Sequence, residues 1–352
     1  MQVTPWITVA AVFAGASCLM LSVETEALEL DTVVISNTGN LPDARTGRGA
    51  VGYTYHITNT EVTNAQYASF LNAVDPTGSN PHDVYNPSMS NSTGFAVVKG
   101  GIDLTPTASD GTKYSAKPNY GDKPVNYVTF HDAARFANWA MTGDTENGFY
   151  VFNGTDTIAS QGIHGADPHH RTNWVALPTE DEWYKAAYHK NDGPTGNYFL
   201  YPTGSDSVPT VAVATPTGDI ANPGANVANY NFGANWDDTG TLGHVTTVGS
   251  AGPESASPYG TSDQGGNIYE WTETPSGSNR IIRGGSLWLE EHTLRSTSSS
   301  VHNPLTQGSS LGFRLVSLGP INVVPLPTAA WLFGSSLVGL IGFVCRRRTM
   351  TA

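Results

Sequence analysis

The stretch DQGGNIYEW, residues 263–271, decides the fold, and RIIRGGSLW (residues 280–288) and LGFRLVS (residues 311–317) complete it. Glycines alternate here with aromatics and with charges two or three residues apart, more densely than elsewhere in the chain. Glycine in such a pattern marks close backbone approach, where a Cβ would clash. A carboxylate, Glu270, lies two residues beyond the step Asn267-Ile268. Carbonyls and one side chain converging in this way suit a hard cation such as calcium.

Three further segments precede this core in order. They are ITNTEVTNAQYASFLNAV (residues 57–74), PVNYVTFHDAARFANWA (residues 124–140) and ALPTEDEWYKAAY (residues 176–188). With G-N-x-x-E-W, R-G-G-S and G-F-R behind them, the chain resembles the formylglycine-generating enzyme (sulfatase-modifying factor) family over about residues 30–317. The resemblance implies an α+β, C-type-lectin-like fold of the sulfatase-modifying-factor subclass. Such a fold is loop-rich, with short strands and about three helices.

The resemblance also implies calcium at two places. One set is Asp263 and Glu270 through carboxylates with Gly266 and Ile268 through carbonyls. The other is Asn229, Tyr230, Asp238 and Leu242. Active relatives carry two cysteines, five residues apart, just after the G-G-S segment, and bind copper there to oxidise a substrate cysteine to formylglycine. Those two places hold Leu289 and Leu294 here. Leucine has no lone pair for Cu(I), so no copper is expected and no catalytic residue is assigned. The H-x3-H-x-E helix motif of the family's iron-dependent sulfoxide synthases is also missing. The residues lining the place of the lost site, Trp288, Glu290, Glu291, His292 and Arg295, read as a polar ligand-binding surface. Nothing among them fixes a nucleophile or a water.

Composition limits the function classes. With 38 glycines, 22 prolines and 13% charged residues among 352, the chain reads as loop-rich rather than helical. A formal charge of −13 argues against nucleic acid, which needs basic clusters. The two cysteines, Cys18 and Cys345, both fall in terminal apolar segments. Removal of those segments leaves no thiol for a disulfide or a thiolate.

Residues 6–23 are apolar and small, with a cleavage-like Thr25-Glu26-Ala27, so residues 1–27 read as a signal peptide lacking a basic start. Residues 28–319 form the sulfatase-modifying-factor-like domain. Residues 320–352 contain VPLPTAAWLFGSSLVGLIGFVC followed by Arg346, Arg347 and Arg348. That tail predicts a short transmembrane helix with a cytoplasmic basic end. It resembles the VPLPA variant of PEP-CTERM sorting signals, which an exosortase cleaves. The resemblance implies transient membrane anchoring, then delivery to the surface or outside of a Gram-negative bacterium. An extracellular polysaccharide or a surface protein is the partner this setting implies.

In chain order, residues 30–35 and 53–57 read as strands. Thr63 with Gln66, Thr129 with Asp132 and Thr179 with Glu182 each start a helix. Residues 75–115, 144–173 and 191–225 read as polar loops, the first as a surface insertion. His164, His169 and His170 read as solvent-exposed loop histidines, and Arg283 and Arg314 as partners in structural ion pairs. Three functions follow from these residues: a non-catalytic binding module, an oxidising enzyme working through a substituted site, or a structural matrix protein at the surface. Trp236 and Trp288 are the aromatics that a sugar-binding reading would use.

Overall fold

The computed structural model describes residues 28, 30–91, 99–154, 157–165, 174–237, 243–321 and 323. The expected signal peptide, residues 322 and 324–352 of the C-terminal sorting segment, both cysteines, His169, His170, Asp238 and Leu242 lie outside these. Among the described residues no helix is long and apolar enough to cross a membrane.

The chain begins with β1 (Thr32–Ile35), β2 (Tyr55–Thr58) and α1 (Asn64–Val74), then β3 (Ile102–Leu104) and β4 (Tyr114–Ala116). Next come α2 (Phe130–Thr142), β5 (Tyr150–Phe152), β6 (Ile158–Gln161), β7 (Val175–Ala176) and α3 (Glu180–Tyr188). It continues through β8 (Thr210–Val211), β9 (Val227–Ala228), β10 (Tyr269–Ser276) and β11 (Asn279–Arg283). It closes with β12 (Ser300–His302), β13 (Leu311–Gly312) and β14 (Val316–Ser317).

Each helix starts where a side chain can satisfy the orphan amides of its first turn. Thr63, Thr129 and Thr179 accept from the backbone N–H three residues on, and Gln66, Asp132 and Glu182 accept in return from the cap's own N–H. All three capping boxes thus form as the sequence predicts. Gly143 ends α2 in a left-handed turn at φ 77°, which glycine adopts at no steric cost.

Two four-stranded sheets organise the rest, in orders β1-β2-β14-β7 and β12-β11-β10-β13. The ends of the domain meet in the first sheet, where β14 pairs antiparallel with both β2 and β7. The second sheet carries the sequence signature. Trp271 on β10 is wholly buried and donates its indole N–H to the Val128 carbonyl at 3.1 Å. Phe70, Phe136, Trp139 and Phe313 pack edge-on or tilted against one another between α1, α2 and the segment before β14. Aromatic contacts of this geometry each add about 0.5–1.5 kcal/mol beyond burial.

Residues 75–115 are not a free surface insertion. Tyr85, Met89, Ile102 and Tyr114 are buried in the main core, and β3 and β4 form a hairpin against α1. The Tyr114 hydroxyl donates to the buried Asp75 carboxylate at the end of α1, which ties the segment down. Likewise residues 144–165 include the antiparallel pair β5–β6, and residues 191–225 include β8, which runs parallel to β9.

Candidate functional site

The segment after β11 begins with Gly284 and Gly285 at φ 102° and 73°, conformations that L side chains rarely adopt. A Cβ on Gly285 would stand 2.7 Å from Thr293 Oγ1, so the loop folds tightly back on itself. Leu287 is buried with Val245 and Ile268, and Trp288, half-buried, packs against them. The carbonyls of Leu287 and Leu289 accept from the N–H groups of Phe232 and Asn231 at 2.8 and 2.9 Å. Two crossing segments, residues 229–237 and 284–295, therefore build one surface.

On that surface the two leucines diverge. Leu294 is fully buried against Tyr201, Ala228 and Tyr230, whereas Leu289 is half-exposed at the rim. Beside them, Glu290 and His292 point into solvent with 75% and 61% of their side chains exposed, 3.7 Å apart. Arg295 is held more firmly, donating to the Tyr201 hydroxyl at 2.9 Å and reaching Glu291 at 3.4 Å. Trp288, Glu290, Glu291, His292 and Arg295 follow one another along this segment, each half-buried or exposed.

Phe232 joins this face unannounced by the sequence reading. It is 42% exposed with φ 60°, a left-handed conformation that costs a bulky side chain of order 1–3 kcal/mol. Its amide and that of Asn231, bonded to the carbonyls of Leu287 and Leu289, hold it there. Trp236, by contrast, is core. Its indole N–H donates to the Val245 carbonyl at 2.9 Å, with Tyr120 against it and Lys123 Nζ 4.6 Å from its ring.

Glu270 is committed elsewhere than to a cation. Its Oε2 accepts from Arg314 Nε at 2.6 Å and Trp183 Nε1 at 2.8 Å, and its Oε1 from Arg314 Nη2 at 2.8 Å. Asp263 accepts from the Gly249 N–H, and Gly266 lies against the Asn229 backbone, where a Cβ would meet the Asn229 carbonyl at 2.2 Å. With every described contact of Glu270 taken by a cationic or N–H donor, these residues do not fit calcium at Glu270. Asn229 differs. It is buried, its Nδ2 donates to the His244 carbonyl at 2.8 Å, and its Oδ1 has no partner among the described residues. An orphaned buried oxygen of that kind fits an oxygen-ligated cation. The Tyr230 carbonyl accepts from the Gly233 N–H.

The third charged knot was invisible to the sequence reading. The His164 side chain is only 8% exposed rather than solvent-facing, with Nδ1 2.9 Å from Glu182 and Nε2 3.0 Å from Glu273. Phe149 and Trp174 close over its ring at centroid distances of 5.0 and 4.7 Å. Burial opposes the imidazolium, but the two carboxylates outweigh it and push the pKa up to about 10. The same pair holds Glu182 below its ordinary value despite burial. Arg283 is likewise structural, bound to Glu180 and to the Ser296 and Ser298 carbonyls.

Among the described residues no three or more His, Cys, Asp or Glu side chains are grouped so as to hold a metal ion. The fold is a loop-rich α+β domain of short strands and three helices among the described residues. The chain belongs to the family of the sulfatase-modifying factor enzyme 1-like domain, which matches residues 36–318. It is 27% identical over 218 residues to hercynine oxygenase of Mycolicibacterium thermoresistibile, a match covering 55% of this chain and 36% of that protein. It thus spans about a third of that relative's length. CarF is similar in structure, at 23% identity and a TM-score of 0.47, over 85% of this chain and 100% of CarF. Treponema denticola variable protein 1 is similar at 18% identity and a TM-score of 0.44, over 82% and 95% of the two chains.

Proposed function

We propose that this protein is a non-catalytic member of its family, exported to the cell surface or its matrix, where it binds an extracellular polysaccharide. The observation that carries the reading is Leu294, wholly buried against Tyr201, Ala228 and Tyr230 where active relatives carry a cysteine. A hydrocarbon packed into that place neither ligates copper nor exchanges electrons with a thiol. Leu289 beside it is equally inert.

The binding face in this reading is the crossing of residues 229–237 and 284–295. Phe232 and Trp288 supply apolar surface for sugar rings, and Glu290, Glu291, His292 and Arg295 supply a polar rim for hydroxyls. Calcium belongs to the reading only at Asn229, with Tyr230, Asp238 and Leu242 as the sequence-derived companions. There it would stabilise the loop that carries Phe232. An exosortase acting on the C-terminal segment, and passage through the inner membrane of a Gram-negative bacterium, complete the proposal.

The test is a polysaccharide pull-down and a glycan array, with and without calcium. Retention that disappears in Phe232→Gly supports the reading, and no binding under either condition overturns it. The competing reading is oxidation of a substrate cysteine. It is tested with a C-x-P-x-R peptide and copper, where conversion of thiol to aldehyde lowers the mass by about 18 Da. An aldehyde product made by the purified protein would sink the non-catalytic reading.

A further inference from the structure

A cleft of about 420 Å³ opens between the turn after β2 and the segment around Gly249. Its walls mix apolar Leu30, Val62 and Val248 with Asp31, Asn59 and Glu61. Two oxygens here have no hydrogen-bond partner among the described residues: Glu61 Oε2 and Asn59 Oδ1. Glu61 is 1% exposed, and its other carboxylate oxygen accepts from Asn267 Nδ2 at 3.2 Å. Leaving a buried acceptor unpaired costs about 1–3 kcal/mol, and more for a charged group.

We infer that this cleft binds a small organic cation, a protonated primary amine on a short aliphatic chain, through Glu61 and Asn59. Without a bound cation, burial and the neighbouring charges of Asp263 and Glu270 raise the Glu61 carboxyl well above its ordinary value. A cation donating to it relieves both costs and leaves Glu61 Oε2 and Asn59 Oδ1 as acceptors. Around Glu61 the carboxylates of half-buried Asp263 and wholly buried Glu270 face a single arginine, Arg314. The knot therefore carries more negative than positive groups, and the whole chain carries a formal charge of −13, which attracts cations. The cleft has the volume of a small-molecule site rather than that of one ion. No metal-holding group of three or more side chains is present among the described residues, which favours an ammonium over a metal ion. Leu30, Val62 and Val248 give the aliphatic part of the ligand an apolar wall. This site is separate from the polysaccharide face, and its failure leaves that reading intact.

The experiment is calorimetric titration of the full chain with 1,5-diaminopentane in low-salt buffer, with pentane-1,5-diol as the neutral analogue. The expected result is saturable binding of the diamine and none of the diol. Binding weakens by about ten-fold or more in Glu61→Gln. Thr60→Trp, which fills the mouth and leaves the carboxylate in place, abolishes it even if Glu61→Gln fails to fold. Glu254→Gln, an exposed carboxylate elsewhere, leaves it unchanged. Absent or non-saturable binding overturns the inference, as does equal loss in Glu254→Gln, which would mark diffuse attraction. Calcium binding with the same dependence on Glu61 in place of the diamine also overturns it.

Discussion

Arg314 grips Glu270 through both guanidinium edges, Nε to Oε2 at 2.6 Å and Nη2 to Oε1 at 2.8 Å, with neither side chain exposed to solvent. The same arginine reaches the carbonyls of Thr58, Asn59 and Ser262, so it staples β10 to the end of β2 and to the approach of the signature. A buried pair of this kind is costly to break singly, because the survivor stays charged in a dry place. Glu270→Gln is therefore expected to lose about 3–5 kcal/mol in urea unfolding. The double variant Glu270→Leu, Arg314→Met should recover much of that loss. A single-variant cost below about 1 kcal/mol would mean the pair is solvated and the core misplaced.

His164 sets the pH dependence of stability. Its folded pKa is raised from the ordinary 6.5 to about 10 by Glu182 and Glu273, which overcome burial. A raised histidine contributes fully below its unfolded pKa and loses that contribution as pH climbs through the folded value. The stability difference between wild type and His164→Gln should therefore shrink steadily between pH 6.5 and about 10. Glu182, lowered by His164, acts in the opposite sense, and its share is lost as pH falls below its ordinary 4.5. Tyr53, Tyr150, Gln161 and Arg280 also face this knot, and they are common to both proteins, so the difference isolates the imidazole. A flat difference between pH 6.5 and 10, read from melting temperatures, would show that His164 is neutral in the folded state.

Leu294 and Leu289, which we propose stand where active relatives carry cysteines, differ in burial, and introducing sulfur should expose that. Leu294→Cys removes methyl groups from a filled core and is expected to cost about 1–3 kcal/mol. Leu289→Cys at the half-exposed rim should cost less than about 1 kcal/mol. Urea denaturation of each variant checks the order. Equal costs would contradict the packing of Leu294 against Tyr201 and Tyr230.

These contrasts mark how far the sequence could be read. Helix starts are local: Thr63, Thr129 and Thr179 each find their partner three residues on, and so were legible. The signature was legible because glycine density reports backbone contact wherever the chain later goes, as at Gly266 against Asn229. Long-range polar pairing was not. His164 meets Glu182 and Glu273, 18 and 109 residues away, and no local pattern announces either. Residues 75–115 misled because their many turn residues outnumber five core anchors, Val84, Tyr85, Met89, Ile102 and Tyr114. Phe232 could have been suspected only from Asn231 before it and Gly233 after it, a context suited to a left-handed turn.

Calcium offers a direct test of where the oxygen donors are free. Addition at about 100 times its Kd should stabilise by ~2.7 kcal/mol if the ion binds the folded state alone. The gain should vanish in Asn229→Ala, whose Oδ1 is the unpartnered atom. Scanning calorimetry of the two proteins with calcium and with chelator decides it. A shift that survives Asn229→Ala would move the ion away from this loop.

Phe232 separates binding from stability. Its φ of 60° is strained for an aromatic but free for glycine, and 42% of the residue is exposed, so little burial is lost on truncation. Phe232→Gly should therefore melt within about 1 kcal/mol of wild type, since relief of strain offsets the lost contact and the looser unfolded chain. If the side chain is held outward for a ligand, the same variant should lose polysaccharide retention entirely while Val301→Ser, an exposed apolar position on β12, retains it. Retention unchanged in Phe232→Gly would remove the polysaccharide face from this loop crossing. A large loss of stability would instead show that the strained residue serves packing, because strain at a surface residue persists only where neighbours impose it.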